Sequence, residues 1–168
     1  MPNISEDEIL DYIIFDCKAR GQDWKNIEWY IDNPKLIEGD FYHINSGVLV
    51  FNEKVYDSEL FTILEMAGEI LPISVKDKRL YLLNVLECIN SLDHQNTEFD
   101  YYDDGTQGRI LKYVFHERFP DSSLFKIPET SRSEVLTYHD VKDTEDEFYS
   151  LYNKLKFSGL IFQELYSI

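Results

Sequence analysis

Apolar residues fall along this chain in short runs rather than one long period. Residues 80–89 are apolar except for Asn84 and Glu87, and residues 70–75 form a similar run. Short apolar runs bounded by turn-forming residues read as strands buried on both faces. Residues 47–51 (GVLVF), 109–116 (RILKYVFH), 124–127 (LFKI), 135–138 (VLTY) and 159–166 (GLIFQELY) read as further strands. Two stretches have the helical period instead. Leu60, Phe61, Leu64 and Ala67 share a face, with Asp57 placed to cap the start and Gly68 to end it. Phe148, Leu151, Tyr152 and Leu155 share another, after Asp143 or Thr144 as cap and ending near Gly159. At the N-terminus, residues 11–17 (DYIIFDC) read as a strand. Ser5 and Glu8 are spaced as a capping box, which makes a helix from 6 to about 18 the competing reading. Residues 20–40, with Trp24, Trp29 and Tyr30, read as a short helix and loop closing on Asn33-Pro34 and Gly39-Asp40.

Strands gather in the centre and helices interrupt them without a βαβα rhythm. The expected class is α+β, a mainly antiparallel sheet with a few interrupting helices in a single compact domain. A chain of 168 residues suits one such domain. Residues 1–40 are expected to be an N-terminal strand/helix elaboration of the same fold, and residues 41–168 the main domain.

Charge narrows the partners. The net charge is −16, and the acidic excess is spread along the chain, with ten acids against four bases in residues 1–40 and nine against five in residues 121–168. An anionic surface repels nucleic acid and anionic lipid, so neither is an expected partner. It favours a basic protein, or serves solubility alone. Cys17 and Cys88 are too few for a disulfide framework and lack zinc spacing. Both fall in apolar runs, where a thiol acts as a small hydrophobe with a raised pKa. The first eight residues are acidic and lack an apolar signal core, and no run approaches the roughly 20 residues of a membrane helix. The expected compartment is the cytoplasm.

Candidate chemistry is sparse. Asp93-His94 at the end of the central apolar run could act as base and orienter only with a third group beside them. The plainer reading makes Asp93 a turn cap and His94 a solvated loop residue. His43, His94, His116 and His139 are scattered without metal-ligand spacing. There is no nucleophile elbow and no P-loop. The expectation is a non-enzyme with no metal and no cofactor. The alternative is a small hydrolase or metal-dependent enzyme whose site is assembled from Asp93, His94, His116 and His139. The segment Glu98-Phe99-Asp100-Tyr101-Tyr102-Asp103-Asp104-Gly105 stands apart, with four carboxylates, two adjacent tyrosines and a glycine turn. Tyrosine gives large contact area at low entropic cost, and carboxylates steer and pair with basic groups. Glu98, Asp100, Tyr101, Tyr102, Asp103 and Asp104 are therefore the partner-binding candidates. A solvated hairpin with Asp-Gly at its tip is the other reading. The acidic run 143–147 is explained by a helix N-terminus alone.

The order of these motifs carries a resemblance. Leu71-Pro72-Ile73 precedes a basic stretch, then come Tyr81 to Val85 with Asn84, and Leu92-Asp93. After a polar gap follow Ile110 to Phe115 and Leu124-Phe125-Lys126-Ile127-Pro128-Glu129, and a final helix leads to Gly159-Leu160-Ile161-Phe162. This order resembles a family of bacterial immunity proteins of polymorphic toxin systems, formerly a domain of unknown function, found in myxobacterial and other toxin–immunity loci. The resemblance spans about residues 40–168 and is firmest from 71 to 129. Where the family pattern would place a serine after Leu92-Asp93, this chain has Gln95-Asn96-Thr97. The resemblance implies a protein that binds and neutralises a cognate toxin effector, with no catalytic residues of its own. An acidic inhibitor of this kind suits a basic toxin domain.

Overall fold

The structure, a computed structural model, describes residues 14–25, 28–29, 39–42, 44, 46–75, 78–116, 120–139, 144 and 146–166. The proposed capping box at Ser5 and Glu8, the Asn33-Pro34 turn, Tyr30, His43 and Asp143 lie outside the described residues.

The centre is a five-stranded sheet built from β1 (Glu28–Trp29), β2 (Phe41–Tyr42), β3 (Val48–Phe51), β4 (Gly68–Val75) and β5 (Lys78–Val85), in the order β1-β4-β5-β3-β2. All neighbouring pairs are antiparallel except the short β1, which runs parallel to β4. The architecture is the expected α+β one. β4 and β5 form its spine, paired without interruption from Gly68↔Val85 to Val75↔Lys78.

Side chains of a strand alternate between faces, and here both faces are covered. Tyr81, Leu83 and Val85 of β5 join Phe51, Leu60, Leu64 and Phe148 in one core. Leu80 and Leu82 turn the other way and join Val48, Val50, Leu71, Ile73 and Phe15 in a second. A strand buried on both sides carries apolar residues at nearly every position, which is why 80–85 shows no alternation in the sequence.

The first core is roofed by helices α1 (Glu53–Tyr56), α2 (Leu60–Ala67) and α3 (Phe148–Lys154). Asn52 caps α1, its side chain accepting from the Val55 amide at 3.1 Å. Asp57, expected to cap α2, instead follows the end of α1. The hydroxyl of Ser58 accepts from the Leu60 amide at 3.3 Å. α2 runs directly into β4 at Gly68, where a Cβ would stand 2.0 Å from the Asn84 carbonyl oxygen, so helix and sheet meet there only without a side chain. The apolar face of α3 is as expected, but the helix starts at Phe148, after Glu147 rather than after Asp143 or Thr144. Its first amide donates to the buried Ser123 hydroxyl at 2.9 Å.

The second core is closed by segment 14–25. This segment is neither the strand nor the helix proposed for it over its described part. Phe15 supplies its apolar anchor and polar groups hold the rest. Glu69 and Asn84 face each other across β4 and β5. The Glu69 carboxylate accepts from the amides of Arg20 (2.6 Å) and Gly21 (2.9 Å) and from Asn84 Nδ2 (2.7 Å). Asn84 Nδ2 also donates to the Lys18 carbonyl at 2.8 Å, and the Trp24 indole donates to the Pro72 carbonyl at 2.9 Å. Asn84 Oδ1 is buried with no hydrogen-bond partner among the described residues.

Below the sheet lies a third cluster of Leu92, Phe125, Ile127 and Leu136. It gathers two small antiparallel pairs, β6 (Glu98–Tyr101) with β7 (Gln107–Lys112), and β8 (Leu124–Phe125) with β9 (Leu136–Thr137). Several expected strands are shorter than the apolar runs. The run 109–116 is a strand only to Lys112, with Phe115 in an isolated bridge to Leu92, and 124–127 only to Phe125, with Lys126 in an isolated bridge to Cys88. Residues 159–166 form no strand. Leu160 and Phe162 pack against the first core, Phe162 on Tyr149 and Tyr152, and Leu165 reaches the third cluster, while Ile161, between Leu160 and Phe162, is fully solvent-facing. The sequence alternates like a strand, but among the described residues no neighbouring strand supplies a ladder.

Candidate functional site

The partner-binding candidates all sit on the β6–β7 hairpin. Register pairs are Glu98↔Lys112, Phe99↔Ile110 and Tyr101↔Gln107, with irregularities between them. Unlike β5, neither strand is fully buried: Phe99 and Ile110, half-buried, pack against the third cluster and moor the hairpin to the body. An isolated two-stranded ribbon is marginal in water, so this mooring holds it. Phe99 also stacks on the His94 ring, with centroids 5.7 Å apart.

The tip is a tight turn over residues 102–106. The Gly105 amide donates to the Tyr102 carbonyl and the Tyr102 amide to the Thr106 carbonyl, each at 2.9 Å. Gly105 has φ +80, a left-handed conformation that suits glycine. Asp104 accepts from the Thr106 amide at 2.9 Å, and that bond holds its carboxyl below the ordinary aspartate range. Asp-Gly at the tip, one of the two sequence readings, is therefore what the hairpin has.

The rest of the hairpin faces solvent. Tyr101 is 61% exposed, Tyr102 66% and Leu111 56%. Asp100 lies 3.7 Å from Arg109 and Glu98 3.7 Å from Lys112, loose surface pairs that contribute little to stability. Asp103 and Asp104 make no ion pair among the described residues. The result is an aromatic pair beside carboxylates whose negative charge is only half offset within the hairpin. Such a surface can stack on and pair with basic side chains; it holds no group poised for bond-making.

The residues of the alternative enzymatic reading have other employment. Asp93 caps its turn, accepting from the amides of Gln95 (2.9 Å) and Asn96 (3.3 Å) and from Asn96 Nδ2 (2.7 Å). The Asn96 side chain contributes most to the lowering of its pKa. His94, read as a solvated loop residue, bonds Glu129 at 2.6 Å. His116 lies near Asp93, whose charge it favours, but no hydrogen bond joins them among the described residues. His139 Nδ1 meets buried Glu147 at 2.8 Å and the Ser150 hydroxyl at 3.2 Å, while Ser150 also bonds Glu147 at 2.9 Å. A serine relay uses both ring nitrogens, one toward the nucleophile and one toward the acid. Here both partners crowd one nitrogen. Among the described residues no group of three His, Cys, Asp or Glu side chains could hold a metal ion.

One residue escaped the sequence reading. Lys126 is fully buried, and its ammonium donates to the Phe15 carbonyl at 2.8 Å. Burial pushes its pKa down. Alternation within Leu124-Phe125-Lys126-Ile127 was the available signal. It places Lys126 on the opposite side from Phe125 and Ile127, which face the third cluster.

No helix among the described residues is long and apolar enough to cross a membrane. No family model matches the chain, and no curated protein matches it significantly.

Proposed function

We propose that this chain is an inhibitor of the immunity-protein kind, binding and neutralising a basic toxin domain by direct contact through the β6–β7 hairpin. The observation that carries the reading is the hairpin itself: Tyr101 and Tyr102 stand in solvent beside four carboxylates, on a ribbon that Phe99 and Ile110 moor to the body. Exposed tyrosines next to charge are the composition of binding hot spots. The net charge of −16 adds long-range attraction for a basic partner and repels nucleic acid. The order-and-spacing resemblance of residues 40–168 supports the same reading. On it the protein works in the cytoplasm, without cofactor or catalysis, by occupying the toxin's working surface.

The test is co-expression with the toxin domain encoded beside it. The chain should restore growth and co-purify with the toxin as a stoichiometric complex. Tyr101→Ala/Tyr102→Ala should lose both effects while keeping the native circular dichroism spectrum. Full protection by that variant would remove the hairpin from the mechanism. No protection by the natural chain would end the proposal.

A further inference from the structure

A second site lies at the root of the ribbon, away from its tip. Beyond β6 and β7 the two segments stay side by side. The Asp93 amide donates to the Val114 carbonyl and the His116 amide to the Ser91 carbonyl, each at 2.8 Å, with Leu92 and Phe115 bridged between them. Beside this root lies a cleft of about 510 Å³ whose lining includes Glu87, Ile89, Ser91, His116, Pro120 and Asp121. The lining holds two carboxylates and no lysine or arginine. Glu87 is half-buried and Asp121 exposed, and neither carboxylate has a hydrogen bond or an ion pair among the described residues. Ser91 is 3% exposed, and its buried hydroxyl has no hydrogen-bond partner among the described residues. A buried polar group without a partner costs free energy, and one in the wall of a cleft marks a place where a ligand can supply the missing bond.

We propose that this cleft is a binding site for a guanidinium group. The acidic lining selects a cation, and the spread of that lining selects the kind. The side chains do not converge on a point, since among the described residues no group of three His, Cys, Asp or Glu could hold a metal ion. An ammonium offers three donors from one atom, whereas a guanidinium offers five from a planar fork. Such a fork can pair with the carboxylates of Glu87 and Asp121 and give the Ser91 hydroxyl its donor. Ile89 and Pro120 supply an apolar wall for the alkyl stem that carries the fork. A small free guanidinium compound and an arginine side chain of a partner protein bring the same chemistry.

The site stands apart from the toxin-binding reading. The tyrosines of that reading sit toward the tip of the ribbon and the cleft sits at its root, so failure of either leaves the other intact. Ser91 also separates binding from folding. Its hydroxyl makes no hydrogen bond among the described residues, so removing it should cost the ligand a partner and the fold nothing.

The experiment titrates the isotope-labelled full chain with agmatine and follows the amide resonances. Those of residues 87–91, 116 and 121 should shift and saturate, with a dissociation constant on the order of 1 mM or below. N-Carbamoylputrescine, with a neutral urea in place of the guanidinium, and putrescine, with ammonium groups alone, should each bind roughly tenfold more weakly. Glu87→Gln and Ser91→Ala should each weaken agmatine by a similar factor, Ser91→Ala without lowering the Tm. A blocked Gly-Arg-Gly peptide that binds more tightly than agmatine supports the site as one for an arginine side chain, and the reverse order supports it as one for a free guanidinium compound. Putrescine binding equal to agmatine, shifts spread over the acidic surface without saturation, or undiminished affinity in both variants would each overturn the proposal.

Discussion

The molecule contains two hairpins that a list of strands would treat alike. β4 and β5 pair over eight consecutive residues and are buried on both faces, by helices on one and segment 14–25 on the other. β6 and β7 pair irregularly and only half-bury one large apolar residue each, Phe99 and Ile110. The first is where apolar burial sets the fold. The second spends its sequence on tyrosines and carboxylates that the fold does not need. The difference separates residues kept for stability from residues open to recognition, and it is a difference that substitutions can break.

The largest effect should come from the spine. Leu82→Ala removes a fully buried side chain between two packed layers and should destabilise the protein by about 2–5 kcal/mol in urea unfolding, whereas Leu111→Ala on the exposed ribbon should stay within about 0.5 kcal/mol. Equal costs at the two positions would erase the contrast. Next comes the polar seam on the same spine. Asn84→Ala leaves the Lys18 carbonyl without its Asn84 donor and takes one of three donors from Glu69, and should cost about 1–3 kcal/mol, with faster amide exchange in 18–24 than in β5. Uniform exchange through both regions would count against a separate seam.

A smaller effect concerns acid. Burial penalises the charge of Asp40, but hydrogen bonds from Lys54, Ser158 and Asn52 outweigh it and hold the carboxyl below its ordinary value. A depressed folded pKa gives stability that is present above the unfolded pKa and lost as pH falls through the folded one. Asp40→Asn should therefore be less stable than the natural chain at neutral pH, with the gap narrowing below about pH 4. A gap constant from pH 7 to 3 would rule this linkage out. The least effect on folding is expected from the ribbon. Asp100→Asn/Asp103→Asn/Asp104→Asn should leave the urea midpoint in place while slowing association with a basic partner several-fold at low salt, a difference that shrinks as salt rises. An on-rate indifferent to both changes would take these carboxylates out of recognition.

Much of the spine could be read from the chain because its signals are local. Apolar run length announced β4 and β5, helical spacing announced α2 and α3, and Asp104-Gly105 announced the tip of the ribbon. What escaped depends on residues far apart. Residues 159–166 alternate like a strand, but whether a strand forms is decided by a neighbour, and none is there among the described residues. Asn84 was legible as a buried polar group; its partners at Lys18 and Glu69 were not, since nothing local links position 84 to position 18. The same holds for Lys126, whose carbonyl partner lies 111 residues away. The exposed tyrosines and carboxylates of the hairpin were legible because side-chain type is what the sequence shows directly.

The Glu69 carboxylate, accepting from two successive backbone amides and from Asn84, also bears on the order of assembly. β4 and β5 are adjacent in the chain and join at almost no loop-closure cost, whereas segment 14–25 must return across nearly fifty residues to meet Glu69. The carboxylate and the Asn84 amide are useful to it only once the two strands have placed them opposite each other. Folding therefore runs from sheet to latch: substitutions in β5 should slow folding itself, and substitutions in the latch should mainly hasten unfolding. The N-terminal segment behaves, in kinetic terms, as a ligand carried on the same chain.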